Sequence, residues 1–164
     1  MIARHNRVRN WLFKLCETGL LSPQMEKLGL LGPGDETRRR PGDVSFKLWK
    51  FGKGLAIDVA VICPLAISHM EEENPCEIYA AVQKHRRYDK GFRGSQYLFS
   101  AMVFETSGAV NEEGKNILKQ IIRFASRSVK CGKLSLCWSC MGSFGMRDPV
   151  RSGSVTPHPR SWCG

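Results

Sequence analysis

Much that would define a function class is missing from this chain. No stretch reaches the ~18 uninterrupted apolar residues of a bilayer-spanning helix, so no helical membrane span is expected. The opening residues, MIARHNRVRN, are charged and lack the apolar core of a signal peptide. The seven cysteines are odd in number and lack the even spacing of a secreted disulfide scaffold. Together these absences lead us to expect an intracellular, reduced protein. No internal repeat is visible. No acidic block balances the basic residues, and the formal net charge is +10. An excess of that size points to a polyanionic partner, nucleic acid first and an anionic membrane surface second.

What is present reads as one domain of 164 residues with a tail, long enough for a real core. Val8, Trp11, Leu12 and Leu15 fall at helical spacing, with Arg4, Arg7 and Lys14 on the wet side. Residues 29–43 form a loop by their Gly and Pro content, and they include the basic run Arg38, Arg39, Arg40. Val44 to Trp49 predicts a strand, Lys50 to Gly54 a turn, and Leu55 to Cys63 a second strand of the same hairpin, ended by Pro64. Ile78 to Arg87 predicts a helix with Ile78, Ala81 and Val82 on its buried side and Lys84 and Arg87 elsewhere. Tyr97 to Phe104 is almost wholly apolar and predicts a central strand.

Asn111 is placed to cap the last helix, with Glu112 and Glu113 set against its dipole and Ile117, Leu118, Ile121, Ile122 and Ala125 as its buried stripe. Lys115, Lys119, Arg123 and Arg127 recur every four residues on the same helix, a basic stripe that suits either phosphate or solvent. The whole predicts an α/β or α+β fold, a small mixed sheet flanked by helices, over residues 1–128. Residues 129–164 have no periodicity and much Gly, Ser and Pro, and predict a tail of low structural content.

One residue interrupts the most hydrophobic segment, LAIDVAVICPL. Asp58 is the single polar residue between Leu55 and Cys63. An unpaired ionised carboxylate there costs several kcal/mol, so a partner must offset it. Asp43 enters the first strand of the hairpin. If it projects to the same rim as Asp58, the two carboxylates suit a hard divalent ion such as Mg2+ or Mn2+, and Lys84 is the cation placed to stabilise charge on a phosphate. Taken singly, each also has a plainer role: a hydrogen-bonded strand Asp, a turn Asp, a solvated Lys.

The series RRPGDV (Arg39 to Val44), a turn, LAIDVAVICPL, AAVQKHRRYD (Ala80 to Asp89) and an apolar strand closing in FETSG (Phe104 to Gly108) resembles a known one. It is similar to the restriction-endonuclease-like domain, of the PD-(D/E)XK superfamily, at the C-terminus of certain non-LTR retrotransposon reverse transcriptases and the open reading frames derived from them. RHNRVRNWLF (Arg4 to Phe13) resembles the helix that follows the zinc knuckle in those polyproteins. The resemblance spans about residues 4 to 127.

The resemblance implies a restriction-endonuclease-like fold and a metal-dependent DNA endonuclease, or an inactive DNA-binding remnant, acting in the nucleus if functional. It implies that Asp43 and Asp58 hold Mg2+ or Mn2+, and that Lys84 is the catalytic lysine moved from strand to helix. Ala60 stands two residues after Asp58, where the usual motif has Lys. Arg87 and Tyr88 match the end of the helical motif, and Glu105 matches a recurrent acidic residue. The knuckle and any adjacent Asp pair of a polymerase site are missing, so the resemblance implies a fragment or remnant. Cys137-x2-Cys140 and His158-x4-Cys163 have paired spacing, with Cys131 able to replace any of them. The long Gly- and Pro-containing spacer makes coincidence the better reading, and zinc is not expected.

Overall fold

The computed structural model describes residues 2–32, 40–66 and 73–131. Helix α1 (Ile2–Thr18) is followed by a short strand β1 (Gln24–Met25) and by the hairpin β2 (Val44–Lys50) and β3 (Lys53–Ile62). A helical segment comes next. It comprises α2 (Pro75–Tyr79), a π-helical stretch (Ala80–His85) and α3 (Arg86–Phe92). Strand β4 (Tyr97–Glu105) and helix α4 (Glu112–Cys131) complete it. The predicted α/β class, a small mixed sheet flanked by helices, is what these elements form.

The sheet order is β1-β2-β3-β4, with β1 and β2 antiparallel to their neighbours and β4 parallel to β3. Helices cover both faces. Leu55, Ile57 and Val59 face α1 and α4, where they pack with Val8, Leu12, Leu118 and Ile121. Ala56 and Ala60 face the α2–α3 side, near Cys76, Ala80 and Phe92. Burial on both faces turns a period-2 strand into a continuous apolar run. Deleting the fully buried Leu12 side chain would cost about 3 kcal/mol.

Four expectations are corrected. β4 lies at the edge of the sheet, not at its centre. It is apolar because helices bury its two faces, and residues 109–111 cover its free backbone: Glu105 N donates to Ala109 O at 2.8 Å and Asn111 N to Val103 O at 3.1 Å. Asn111 precedes α4 but spends its side chain on β4, accepting from Val103 N at 2.9 Å and donating to Ala101 O at 3.0 Å. Glu77 of α2 accepts from Glu112 N instead, placing an anion at the positive end of α4.

The third correction concerns the helical segment. Ile78 and Val82 are exposed, and the inward stripe is Cys76, Ala80, Lys84, Tyr88 and Phe92. A strict four-residue stripe drifts by about 40° per step on an α-helix of 3.6 residues per turn. The wider turns of the π stretch counter that drift and keep Lys84 aimed at the sheet.

α4 runs to Cys131, three residues past the expected boundary. The remaining tail, with Cys137, Cys140, His158 and Cys163, lies outside the described residues, as do Arg38 and Arg39.

Candidate active site

β2 begins at Val44, opposite Ile57, so the backbone of Val59 extends past the end of its neighbour. Its N–H and C=O would be orphaned there. Asp43 takes the first: its Oδ2 accepts from Val59 N at 2.7 Å. His5 of α1 takes the second, with Nε2 3.1 Å from Val59 O and 3.1 Å from Asp43 Oδ2. Both partners accept, so Nε2 carries the proton.

Asp58 is the next residue back along β3, and its side chain turns to the α2–α3 face. It is 8% exposed. Lys84 Nζ donates to Asp58 Oδ2 at 3.0 Å, across a layer thinned by Ala56, Ala60 and Ala101. Burial pushes the Asp58 carboxyl up to about 6; Lys84 opposes the shift, and the neighbouring Asp43 carboxylate adds to it. Lys84 thus offsets only part of the cost of burying an ionised Asp58 beside Asp43.

Asp43, Asp58 and Lys84, selected from the sequence, thus meet at one rim of the sheet. His5 belongs to the same cluster and was missed. Its signal was slight: one turn before Val8, it continues the inward side of α1.

Other expected residues lie elsewhere. Glu105 sits four residues beyond Ala101, the residue opposite Asp58, hence about 13 Å along β4. Its carboxylate accepts from Ser107 Oγ at 2.6 Å. Arg87 is exposed, 5.3 Å from the Tyr88 ring, and Tyr88 packs on Phe99. Arg40 pairs with Glu26 at 3.0 Å. Lys115, Lys119, Arg123 and Arg127 are all exposed, and Lys115 lies 3.5 Å from Glu112.

A second cluster joins the helical segment to α4. His85 Nε2 is 2.7 Å from Glu113 Oε2, and Nδ1 is 2.9 Å from Asp89 Oδ1. The hydrogen bond to Glu113, opposed by burial and helped by Asp89, raises the imidazole to about 9.

Among the described residues, no three His, Cys, Asp or Glu side chains are grouped to hold a metal ion. The hard-oxygen donors at the rim are two carboxylates and the Val59 carbonyl. Such a set fits Mg2+ or Mn2+, ions that keep several waters and take few protein ligands. Also among the described residues, no helix is long and apolar enough to cross a membrane. Compared with family models, curated proteins and solved structures, the chain matches none.

Proposed function

We propose that this protein is a metal-dependent DNA endonuclease domain of the restriction-endonuclease-like kind, derived from a retrotransposon. The observation that carries the reading is the meeting of Asp43, Asp58 and Lys84. Their positions are 15 and 26 residues apart in the sequence, yet one carboxylate lies beside the other and the ammonium lies 3.0 Å from Asp58. The net charge of +10 supports a polyanionic substrate.

Asp43 and Asp58 hold a divalent ion, which when bound supplies charge neutralisation and an acidified water. Lys84 shares its ammonium between Asp58 and the scissile phosphate, stabilising charge that develops there. His5 positions Asp43 by holding the same oxygen that Val59 N holds.

A second reading, an inactive DNA-binding remnant, is favoured by one fact: Asp43 Oδ2 already accepts two hydrogen bonds, which is enough to explain it as a sheet-end residue.

The test is nicking of supercoiled plasmid by the full chain with Mg2+, Mn2+ or EDTA. Nicking with either ion and none in EDTA is expected. DNA binding without nicking under both ions overturns the nuclease reading in favour of the remnant.

A further inference from the structure

We infer that the tip of the β2–β3 hairpin is a DNA-gripping finger that stacks Phe51 on an exposed base while its lysines hold the backbone. The inference rests on the nucleic-acid reading above and adds the contact that reads a base plane. Phe51 is 91% exposed, the most exposed of the large apolar side chains described. It occupies the first position of a two-residue turn and has φ +55°, with Gly52 at +69°. Turns with two positive φ values favour Asn-Gly or Asp-Gly, because a bulky side chain is strained in that region. A turn chosen for folding favours Asn or Asp there, and a local rule broken with no packing gain is expected at functional or strained positions.

The surroundings fit a nucleic acid. No acidic residue stands between Asp43 and Asp58, whereas Lys47, Lys50 and Lys53 all do. Lys47 and Lys50 are exposed, and among the described residues no carboxylate pairs with either. Lys50 Nζ lies 5.6 Å from the Trp49 ring, and Trp49 is anchored against Phe46 and Phe124. The finger is therefore built on a packed base. β2 also bulges between Phe46 and Lys50, which re-aims the tip. The bulge crosses β3 at Gly54, where a Cβ would come within 2.5 Å of Phe46 O and 2.6 Å of the Tyr97 ring, so no other residue fits.

An aromatic ring with flanking cations is the combination that binds bases by stacking and phosphates by charge. A strand rises about 3.3 Å per residue, which puts Phe51 about 20 Å from Asp58, or about six base steps of DNA. The finger thus contacts DNA away from the bond to be cut. The base comes either from a single strand or from a duplex step opened by the ring.

The test compares the full chain with Phe51→Asn and with the double variant Lys47→Ala, Lys50→Ala. Affinity is measured in EDTA, over a range of salt, for a single-stranded oligonucleotide and for the duplex of the same sequence. Asn suits the positive φ, so the melting temperature of Phe51→Asn should equal or exceed that of the wild type. Its affinity should fall about tenfold in at least one arm with an unchanged salt slope, because stacking carries no counterion release. The arm that loses affinity identifies the source of the base. The lysine variant should lower the slope by about two. Unchanged affinity of Phe51→Asn in both arms overturns the inference even if the plasmid is nicked. A tenfold loss without any nicking upholds the finger while the nuclease reading fails.

Discussion

The two ends of the β2–β3 hairpin are opposites. At one end Asp43 and Asp58 are largely buried and held by His5, Val59 N and Lys84. At the other end Lys47, Lys50 and Phe51 stand in solvent on a turn of unfavourable φ. The anionic end is preorganised and the cationic end is presented. Preorganised groups suit chemistry at one atom, since their geometry is fixed before the substrate arrives. Dispersed exposed cations suit grip, since phosphate contacts position a duplex without demanding a single geometry. On the proposed reading, the hairpin connects the two tasks.

That division can be broken most strongly at the anionic end. Lys84→Ala and Asp43→Ala should each lower metal-dependent nicking by at least about 100-fold while changing DNA affinity by less than about threefold. Asp43→Ala should also lose about 1–3 kcal/mol of stability, because Val59 N then has no acceptor. Parallel losses of binding and nicking in the lysine variant would place Lys84 in the grip instead.

The charge balance of the rim has a pH signature. The folded Asp58 carboxyl, at about 6, lies above its ordinary value, so its ionisation in the folded state removes stability as pH rises from about 4 through 6. Lys84 limits that loss. Lys84→Met should therefore cost about 3 kcal/mol at pH 8, where Asp58 is ionised, and about 1 kcal/mol at pH 5, where it is mostly protonated. Urea unfolding at the two pH values measures this. Equal losses at both would mean that Lys84 acts by packing alone.

The His85 cluster sharpens the contrast, because there a cation meets carboxylates that come from the helical segment and α4, with none from the hairpin. Its folded value of about 9 lies above the ordinary 6.5, so its contribution is full below pH 6.5 and is lost as pH rises through about 9. Asp89 is more than half exposed and screened, so most of the effect belongs to Glu113. His85→Gln should cost about 1 kcal/mol at pH 6 and nothing at pH 10. A cost that persists at pH 10 would mark the contact of His85 with Phe99 as the dominant one.

The smallest effect concerns α4. Its basic stripe is exposed, but α4 packs on the sheet face opposite Asp58. Lys119→Ala with Arg123→Ala should reduce the salt slope of DNA binding by less than one, against about two for the hairpin lysines. A drop of two would move the grip from the hairpin to α4.

The hairpin and the α1 and α4 stripes were legible in the sequence, because period and turn chemistry are local signals, and the lone carboxylate in an apolar strand marked Asp58 as a residue that needs a partner. The edge position of β4 was not. Apolar run length reports how many faces are buried, and it carries no information about which neighbours donate hydrogen bonds. The phase of the helical segment was misread because Ile78, Ala81 and Val82 fit an α period, whereas the π stretch presents Ala80 and Lys84. His5 escaped notice because its partners, Asp43 and the Val59 backbone, are 38 and 54 residues away, and one of them is a carbonyl that every residue has. Asn111 was assigned to a cap because the adjacent helix is visible in the sequence and the strand edge it serves is not.

The central claim is that Asp58 is kept in its strand for a metal-dependent cut. Asp58→Asn tests it most directly, since it keeps the shape and removes the charge. Plasmid nicking in Mg2+ or Mn2+ is followed beside DNA affinity and thermal melting in EDTA. The account predicts a folded variant that binds DNA as the wild type does and no longer nicks. An Asp58→Asn protein that nicks normally, or one that is unfolded in metal-free buffer, would make Asp58 a structural residue and contradict the account at its centre.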